Sequence, residues 1–323
     1  MKIFFAILSA LALFLGGPLH ASAQGYPTKT IRIVHGFGSG GPVDLLARML
    51  APLLSERVGQ PVLVEGKPGA GGTLGAAFVA KSDPDGYTLL LMAAGHSAAP
   101  GLYRSLPYDA VNDFTMISMV ARSPLAILAG PSSSAASIQE LVQKARAEPG
   151  KIDYGSAGTG SGMHLMAVLL QARAGIQLTH VPYKTATAVN LALLGGEIPI
   201  LFTSVAGITP LLESGKIRML ALTSRERYAL MPGVPTVAET VLPDFDVTTW
   251  YALAAPKNLP APVTAKLNEA VQVALKRPEV VERLRVQAIE VFPSTPRAAQ
   301  DLLTSEVARW TKVVRDEKIP TQD

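Results

Sequence analysis

Thr30-Ile31-Arg32-Ile33-Val34-His35-Gly36-Phe37-Gly38-Ser39-Gly40-Gly41-Pro42 is the stretch whose reading decides the fold. Thr30 to His35 reads as a strand, rich in β-branched residues. The glycine run supplies a tight turn. Pro42 sits where a helix begins, because the N–H it lacks is one that a first turn leaves unpaired anyway. Leu45, Leu46, Met49, Leu50, Leu53 and Leu54 then recur at helical spacing, and Val58-Gly59 ends that helix. Such a strand–turn–helix unit gathers backbone N–H groups at the positive end of a helix, which is an anion-binding device. A second copy lies roughly 120 residues further on. Gly155-Ser156-Ala157-Gly158-Thr159-Gly160-Ser161-Gly162 follows the strand Ile152-Asp153-Tyr154 and leads into a helix over 163–174. The pair implies a small carboxylate gripped from two sides, in a cleft between two lobes.

Outward from the first loop, Pro61 to Glu65 reads as a strand and Lys67 to Gly72 as a glycine-rich loop. A short helix is predicted from Thr73 to Lys81, a turn at Asp83–Gly86 and a buried-type strand at Tyr87–Ala93. This β-α-β-α-β order predicts a mostly parallel sheet with helices on both faces. The pattern restarts with a strand at Leu125–Ala129 and a helix at Ser137–Ala147. Strands are predicted at Thr179–Pro182, Glu197–Phe202 and Ile217–Leu222, with a helix at Thr185–Leu194. After a long β-like run, Val247–Ala255, three helices close the chain near Pro262–Leu275, Pro278–Gln287 and Thr295–Arg315. The expected organisation is one α/β lobe from residues 24–122 and 250–323 and a second from 123–249. Crossings near Ala121–Leu125 and Thr248–Tyr251 would act as hinges.

Met1-Lys2, an apolar run from Ile3 to Leu15 and the small-residue site Ala21-Ser22-Ala23 read as an export signal over residues 1–23. Cleavage after Ala23 would leave a periplasmic protein beginning at Gln24. The chain has no cysteine, which removes disulfides, thiol nucleophiles and cysteine metal sites. Its formal charge of +4 is carried by scattered Lys and Arg, with no basic block of the kind that tracks nucleic-acid phosphates. No cofactor or metal is called for, and a monomer is expected.

Several motifs offer rival chemistry. Gly36, Gly38 and Gly41 match G-x-G-x-x-G, with Glu65 at a following strand end. That imitates a dinucleotide fingerprint, but an exported protein has little access to such cofactors. Gly95-His96-Ser97-Ala98-Ala99 imitates a nucleophile elbow, giving an exported serine hydrolase as an alternative. Against it, Ala99 replaces the last glycine, Pro100 interrupts the helix required after Ser97, and no His lies beyond His180 to complete a triad. The plainer reading puts His96 and Ser97 in a loop at the carboxyl end of the third strand, where ligands sit in open α/β sheets. His164 has no partners at metal-ligand spacing and either lines the cleft or covers a helix start. Ser39, Thr159 and Ser161 offer hydroxyl donors to a carboxylate, or serve as turn and capping residues. Asp44 reads as a local partner of its helix start, and Lys184 as an exposed lysine.

Taken in order, Tyr26-Pro27, Gly40–Asp44, Pro68–Gly72, Pro84–Leu90, Leu106–Asp109, Tyr154–Gly158, His180–Lys184 and Val234–Glu239 resemble one family along the whole mature chain. It is that of the Bug-type periplasmic solute-binding proteins, receptors of tripartite tricarboxylate transporters. The resemblance implies a two-lobed α/β periplasmic-binding-protein fold of type II, closing on its ligand like a flytrap. It also implies docking to a membrane permease of one large and one small subunit, and a small carboxylate as ligand. One carboxylate would be held by the loops matching Phe37, Gly38, Ser39, Gly40 and Gly41 and Ala157, Gly158, Thr159, Gly160 and Ser161. Around them, His96, Ser97, His164, Tyr183 and Thr203 are the further contact candidates. Many members carry Asp in the strand matching Glu197–Ser204, at positions that here are Pro199 and Thr203. Thr185 replaces a usual glycine, and Gly38 and Ser39 stand where Pro and Ala are common. These departures favour a more anion-tolerant site, with a dicarboxylate, aromatic ones such as terephthalate included, as the preferred ligand. A ligand sensor for a signalling partner is the alternative role.

Overall fold

The computed structural model describes residues 25–159, 161–205, 208–316 and 319–321. The expected export signal and Gly160 lie outside the described residues. Ten strands form the sheet: β1 Ile31–His35, β2 Val62–Gly66, β3 Thr88–Ala93, β4 Phe114–Ala129, β5 Asp153–Ser156, β6 Thr179–Pro182, β7 Ile200–Ser204, β8 Arg218–Leu222, β9 Thr248–Pro256 and β10 Glu290–Val291. The helices are α1 Pro42–Val58, α2 Thr73–Ala80, α3 Gly95–Leu102, α4 Ile138–Ala147, α5 Gly162–Ala174, α6 Ala186–Leu194, α7 Thr209–Glu213, α8 Val237–Thr240, α9 Ala261–Leu275, α10 Pro278–Arg285 and α11 Pro296–Asp316. Among the described residues, no helix is long and apolar enough to cross a membrane.

The sheet runs β2-β1-β3-β9-β4-β7-β5-β6, with β8 and β10 also paired to β4. Its two ends are parallel: β1 with β2 and β3, and β5 with β6 and β7. Every antiparallel pair involves β4 or β9, the strands that join the halves. The predicted strand at Leu125–Ala129 is the last third of β4, which begins at Phe114. Pro124 sits where the strand changes partners. It faces Thr248 of β9, while Leu125 already faces Ser204 of β7. A proline is tolerated there because the ladder changes hands at that residue.

Both faces of each half are covered, so the central strands are apolar without alternation. Leu89 and Leu91 of β3 enter a core with Leu46, Leu50 and Leu54 of α1 and Leu267 and Val271 of α9. Leu90 and Met92 point the opposite way, toward Val79 of α2 and Leu303 of α11. In the second half, Ile127 and Phe202 pack with Leu141 of α4 and Leu165 of α5, while Leu128 and Leu201 pack with Val189 and Leu193 of α6. The expected boundary puts all of 250–323 with the first half. Trp310 and Val314 of α11 pack with Ala98 and Leu102 of α3 in an apolar cluster that continues into the second half. Gly101 permits this approach, since a Cβ there would lie 3.0 Å from Val314 Cβ. That packing also explains why α3 runs on through Pro100, where a break was expected.

Candidate ligand-binding site

A cavity of about 760 Å³ is lined by residues of both halves of the sheet. Its walls are the two predicted loops and the helix starts behind them. Gly36, Phe37, Gly38, Gly41, Pro42 and Val43 come from the β1–α1 connection. Ala157, Gly158, Thr159, Ser161, Gly162 and Met163 come from the β5–α5 connection. The β6–α6 connection adds Tyr183, Lys184, Thr185 and Ala186. Three helices of nine or more residues, α1, α5 and α6, therefore begin at the cavity wall. Their partial positive ends favour an anion. Among the described residues lining it, Lys184 is the single charged one.

The first loop is held from below by a carboxylate. Asp44 is 3% exposed and accepts from the Gly40 N–H at 3.0 Å and from Arg48 Nε at 3.0 Å. Burial alone would raise its pKa, yet the bonds from Arg48 and Gly40 hold it below the ordinary value. His35 Nδ1 accepts from the Phe37 N–H at 3.4 Å, so Nε2 carries the proton and donates to Asp44 Oδ1 at 3.2 Å. Burial lowers the pKa of His35 in spite of Asp44, so this contact is a hydrogen bond of a neutral imidazole. Two of the loop's N–H groups, those of Phe37 and Gly40, thus serve the loop itself.

The second loop is held by neutral groups. Ser156 Oγ accepts from the Gly158 N–H at 3.2 Å and shares a 2.7 Å bond with His180 Nε2. Ser161 caps α5, accepting from the His164 N–H at 3.3 Å. The His164 and His180 rings lie 4.4 Å apart. Burial brings both pKa values down to about 4, with His180 adding to the effect on His164. Thr185 caps α6 in the same manner, accepting from the Ala188 N–H at 3.1 Å.

The loops meet at the rim. A Cβ on Gly38 would lie 2.6 Å from Thr185 Cγ2, and one on Gly41 would lie 3.6 Å from Ala186 Cβ. The first half's loop thus rests on the start of α6, and this side of the cleft is shut.

Of the predicted contacts, Phe37, Gly38, Ala157, Gly158, Thr159, Ser161 and Tyr183 line the cavity. Tyr183 donates to Glu197 Oε1 at 2.8 Å, and burial together with Glu197 pushes its phenol up to about 12. Ser39 and Gly40 are exposed and are not among the lining residues. His164 lies beneath its loop, against His180. His96 and Ser97 require correction. They belong to α3, not to a loop, and its turn carries both inward. His96 stacks on Tyr108 and gives Nε2 to the Ala110 carbonyl at 2.9 Å, while Ser97 donates to the Ala94 carbonyl at 2.6 Å and has no exposure. From that segment Gly95 reaches the cavity. Thr203 is also turned away; its neighbour Ser204 lines the cavity, as strand alternation dictates. The residues not anticipated are the loop Pro68–Gly72, whose glycines were a visible signal, and Tyr103, Ser204, Thr249 and Tyr251, which carried none.

A two-lobed α/β protein with helix starts converging on an interlobe cavity belongs to the class of solute-binding proteins. The chain is a member of the tripartite tricarboxylate transporter receptor family, whose model matches residues 46–319. Protein BugT of Bordetella pertussis is 34% identical over 315 residues, covering 96% of this chain and 97% of BugT. R. palustris Rpa4515, solved with adipate, superposes with a TM-score of 0.87 at 32% identity, over 92% of this chain and all of that one (100%). MatC from Rhodopseudomonas palustris, solved with malate, gives 0.85 at 32% identity, over 90% and 100% of the two chains. The protein is accordingly a receptor of this family and not an enzyme.

Proposed function

We propose that this protein is a periplasmic receptor that captures a small dicarboxylate and delivers it to the large and small permease subunits of a tripartite tricarboxylate transporter. The observation that carries the reading is the cavity lining: two glycine loops heading helices and, among the described residues, one lysine and no carboxylate. An anion there meets donors and positive helix ends, and nothing of its own sign. The adipate and malate held by the two related structures agree with this chemistry. Room of about 760 Å³ accommodates an aromatic diacid such as terephthalate as readily as an aliphatic one.

Binding proceeds by closure. One loop takes a carboxylate while the cleft is wet. Rotation about the crossings at 121–125 and 248–251 then brings up the other loop, and loss of water strengthens each charge-assisted bond. The ligand favours the closed form only by its preference for that form. A dissociation constant of about 1 μM corresponds to roughly −8 kcal/mol, within reach of two donor loops around an enclosed ligand.

A thermal-shift screen of the purified protein against mono-, di- and tricarboxylates tests the reading. A diacid at a hundredfold excess over its dissociation constant adds about 2.7 kcal/mol of stability and raises the melting temperature. A shift with neutral sugars or cations and none with any carboxylate would overturn it.

A further inference from the structure

The cavity floor lies where the joining strands meet. Ala93 of β3 faces Tyr251 of β9, Ser123 of β4 faces Thr249, and Leu125 of β4 faces Ser204 of β7. Three hydroxyl-bearing residues of this floor line the cavity, Ser204, Thr249 and Tyr251. All three residues are buried, at 4%, 7% and 2% exposure. Tyr251 donates to Ser204 Oγ at 3.4 Å, and Ser204 donates to Ser123 Oγ at 3.5 Å. Both distances are long for O–H···O bonds, so an acceptor of better geometry would draw the Tyr251 proton away from Ser204. Burial raises the pKa of Tyr251, which keeps the phenol protonated and a donor at neutral pH.

Lys184 is the rival partner for a second acidic group, but it sits in the wrong place. Its carbonyl lies 4.0 Å from where a Gly38 Cβ would be, and the residue is exposed. Its backbone stands at the rim beside the first loop, and water screens the charge of an exposed lysine there.

We propose that Ser204, Thr249 and Tyr251 form the subsite for the far end of the ligand and receive its second carboxylate. This rests on the carboxylate-receptor reading and extends it. A neutral, pre-placed set of hydroxyls accepts an anion without requiring a buried counter-charge. Because these residues lie on the strands that join the halves, a diacid of matching length bridges the loops and the crossing point, whereas a monoacid touches the loops alone.

The test is calorimetric titration with length-matched pairs, adipate against hexanoate and terephthalate against 4-methylbenzoate. The wild-type protein, Tyr251→Phe, Thr249→Val and Lys184→Met are compared. Wild type prefers one diacid over its monoacid partner by about tenfold or more, as expected for a charge-assisted bond lost with the second carboxylate. Tyr251→Phe collapses that ratio by about tenfold, Thr249→Val by a few-fold, and Lys184→Met weakens both members of a pair alike. Retained monoacid binding shows that each variant is folded. A diacid preference that survives both floor substitutions, or that Lys184→Met alone abolishes, overturns the subsite. Failure of wild type to bind any carboxylate overturns the receptor reading and the subsite with it.

Discussion

The two glycine loops do the same work on different foundations. Beneath the first lies an ionised carboxylate, Asp44, tied to Gly40, Arg48 and His35. Beneath the second lie a hydroxyl and two neutral imidazoles, Ser156, His180 and His164. Both arrangements fix a loop whose N–H groups would otherwise need water or ligand to satisfy them. They differ in how they fail. Removing a buried carboxylate strands the buried His35 Nε2–H and unties Gly40 and Arg48, whereas a neutral pair loses less. A carboxylate of lowered pKa keeps its charge through mild acid, whereas a buried imidazole stays neutral there while its unfolded counterpart takes up a proton.

Removing Asp44 should therefore have the largest effect. Asp44→Ala leaves the buried His35 Nε2–H and the Gly40 N–H without an acceptor and should cost about 2–4 kcal/mol, read from the urea midpoint. Ser156→Ala, in the same position beneath the second loop, should cost about 1 kcal/mol. Equal losses would mean that the two foundations are equivalent. Packing at the loop entrances sharpens the contrast. A Cβ on Gly36 would lie 2.4 Å from Gly72 Cα and O, which are backbone atoms. One on Gly155 would lie 2.3 Å from Ile198 Cδ1 and 2.4 Å from Val189 Cγ2, which are side-chain ends. Backbone cannot rotate aside, so Gly36→Ala should cost about 2–3 kcal/mol and Gly155→Ala nearer 1 kcal/mol. The reverse order in denaturant melts would show that the first loop is the more pliant.

What the sequence revealed was local, and what it hid was tertiary. The first unit was legible because its punctuation is chemical: Pro42 opens α1, and Gly59 closes it in the left-handed conformation at φ 74°. The joining strand β4 was hidden, because nothing local distinguishes a strand that crosses between halves from one that begins at Leu125. The loops of the site were visible for the same reason as α1. Its floor was not. Whether Thr203 or Ser204 faces a cavity depends on the register of β7 against β4, and a shift of one residue reverses the answer. His96 and Ser97 misled because α3 forms through Pro100, and only packing against α11 accounts for that helix.

The smallest effect separates the foundations by acidity. His164 and His180 hold their protons only below about 4 in the folded protein, against an ordinary histidine value of 6.5. Above pH 6.5 neither state is protonated and the groups contribute nothing. As pH falls below 6.5, the unfolded chain takes up protons that the folded one refuses, so stability is lost progressively down to about pH 4. His35 beneath the first loop, lowered by burial, and His96, buried against Tyr108 and brought down to about 4, add a dependence of the same sign from the first half. The lowered carboxylates, Asp44 among them, stay ionised in the folded protein through this range, and the unfolded chain protonates its own mainly below about pH 5, so the window from 6.5 to 5 belongs chiefly to the imidazoles. Discounted for partial solvent access, each histidine should contribute about 1 kcal/mol by pH 5. Urea midpoints at pH 7 and pH 5 should therefore converge partly in His180→Gln, which keeps a neutral hydrogen-bonding partner for Ser156 but cannot charge. A slope identical to that of wild type would mean that the second loop rests on something other than a neutral imidazole.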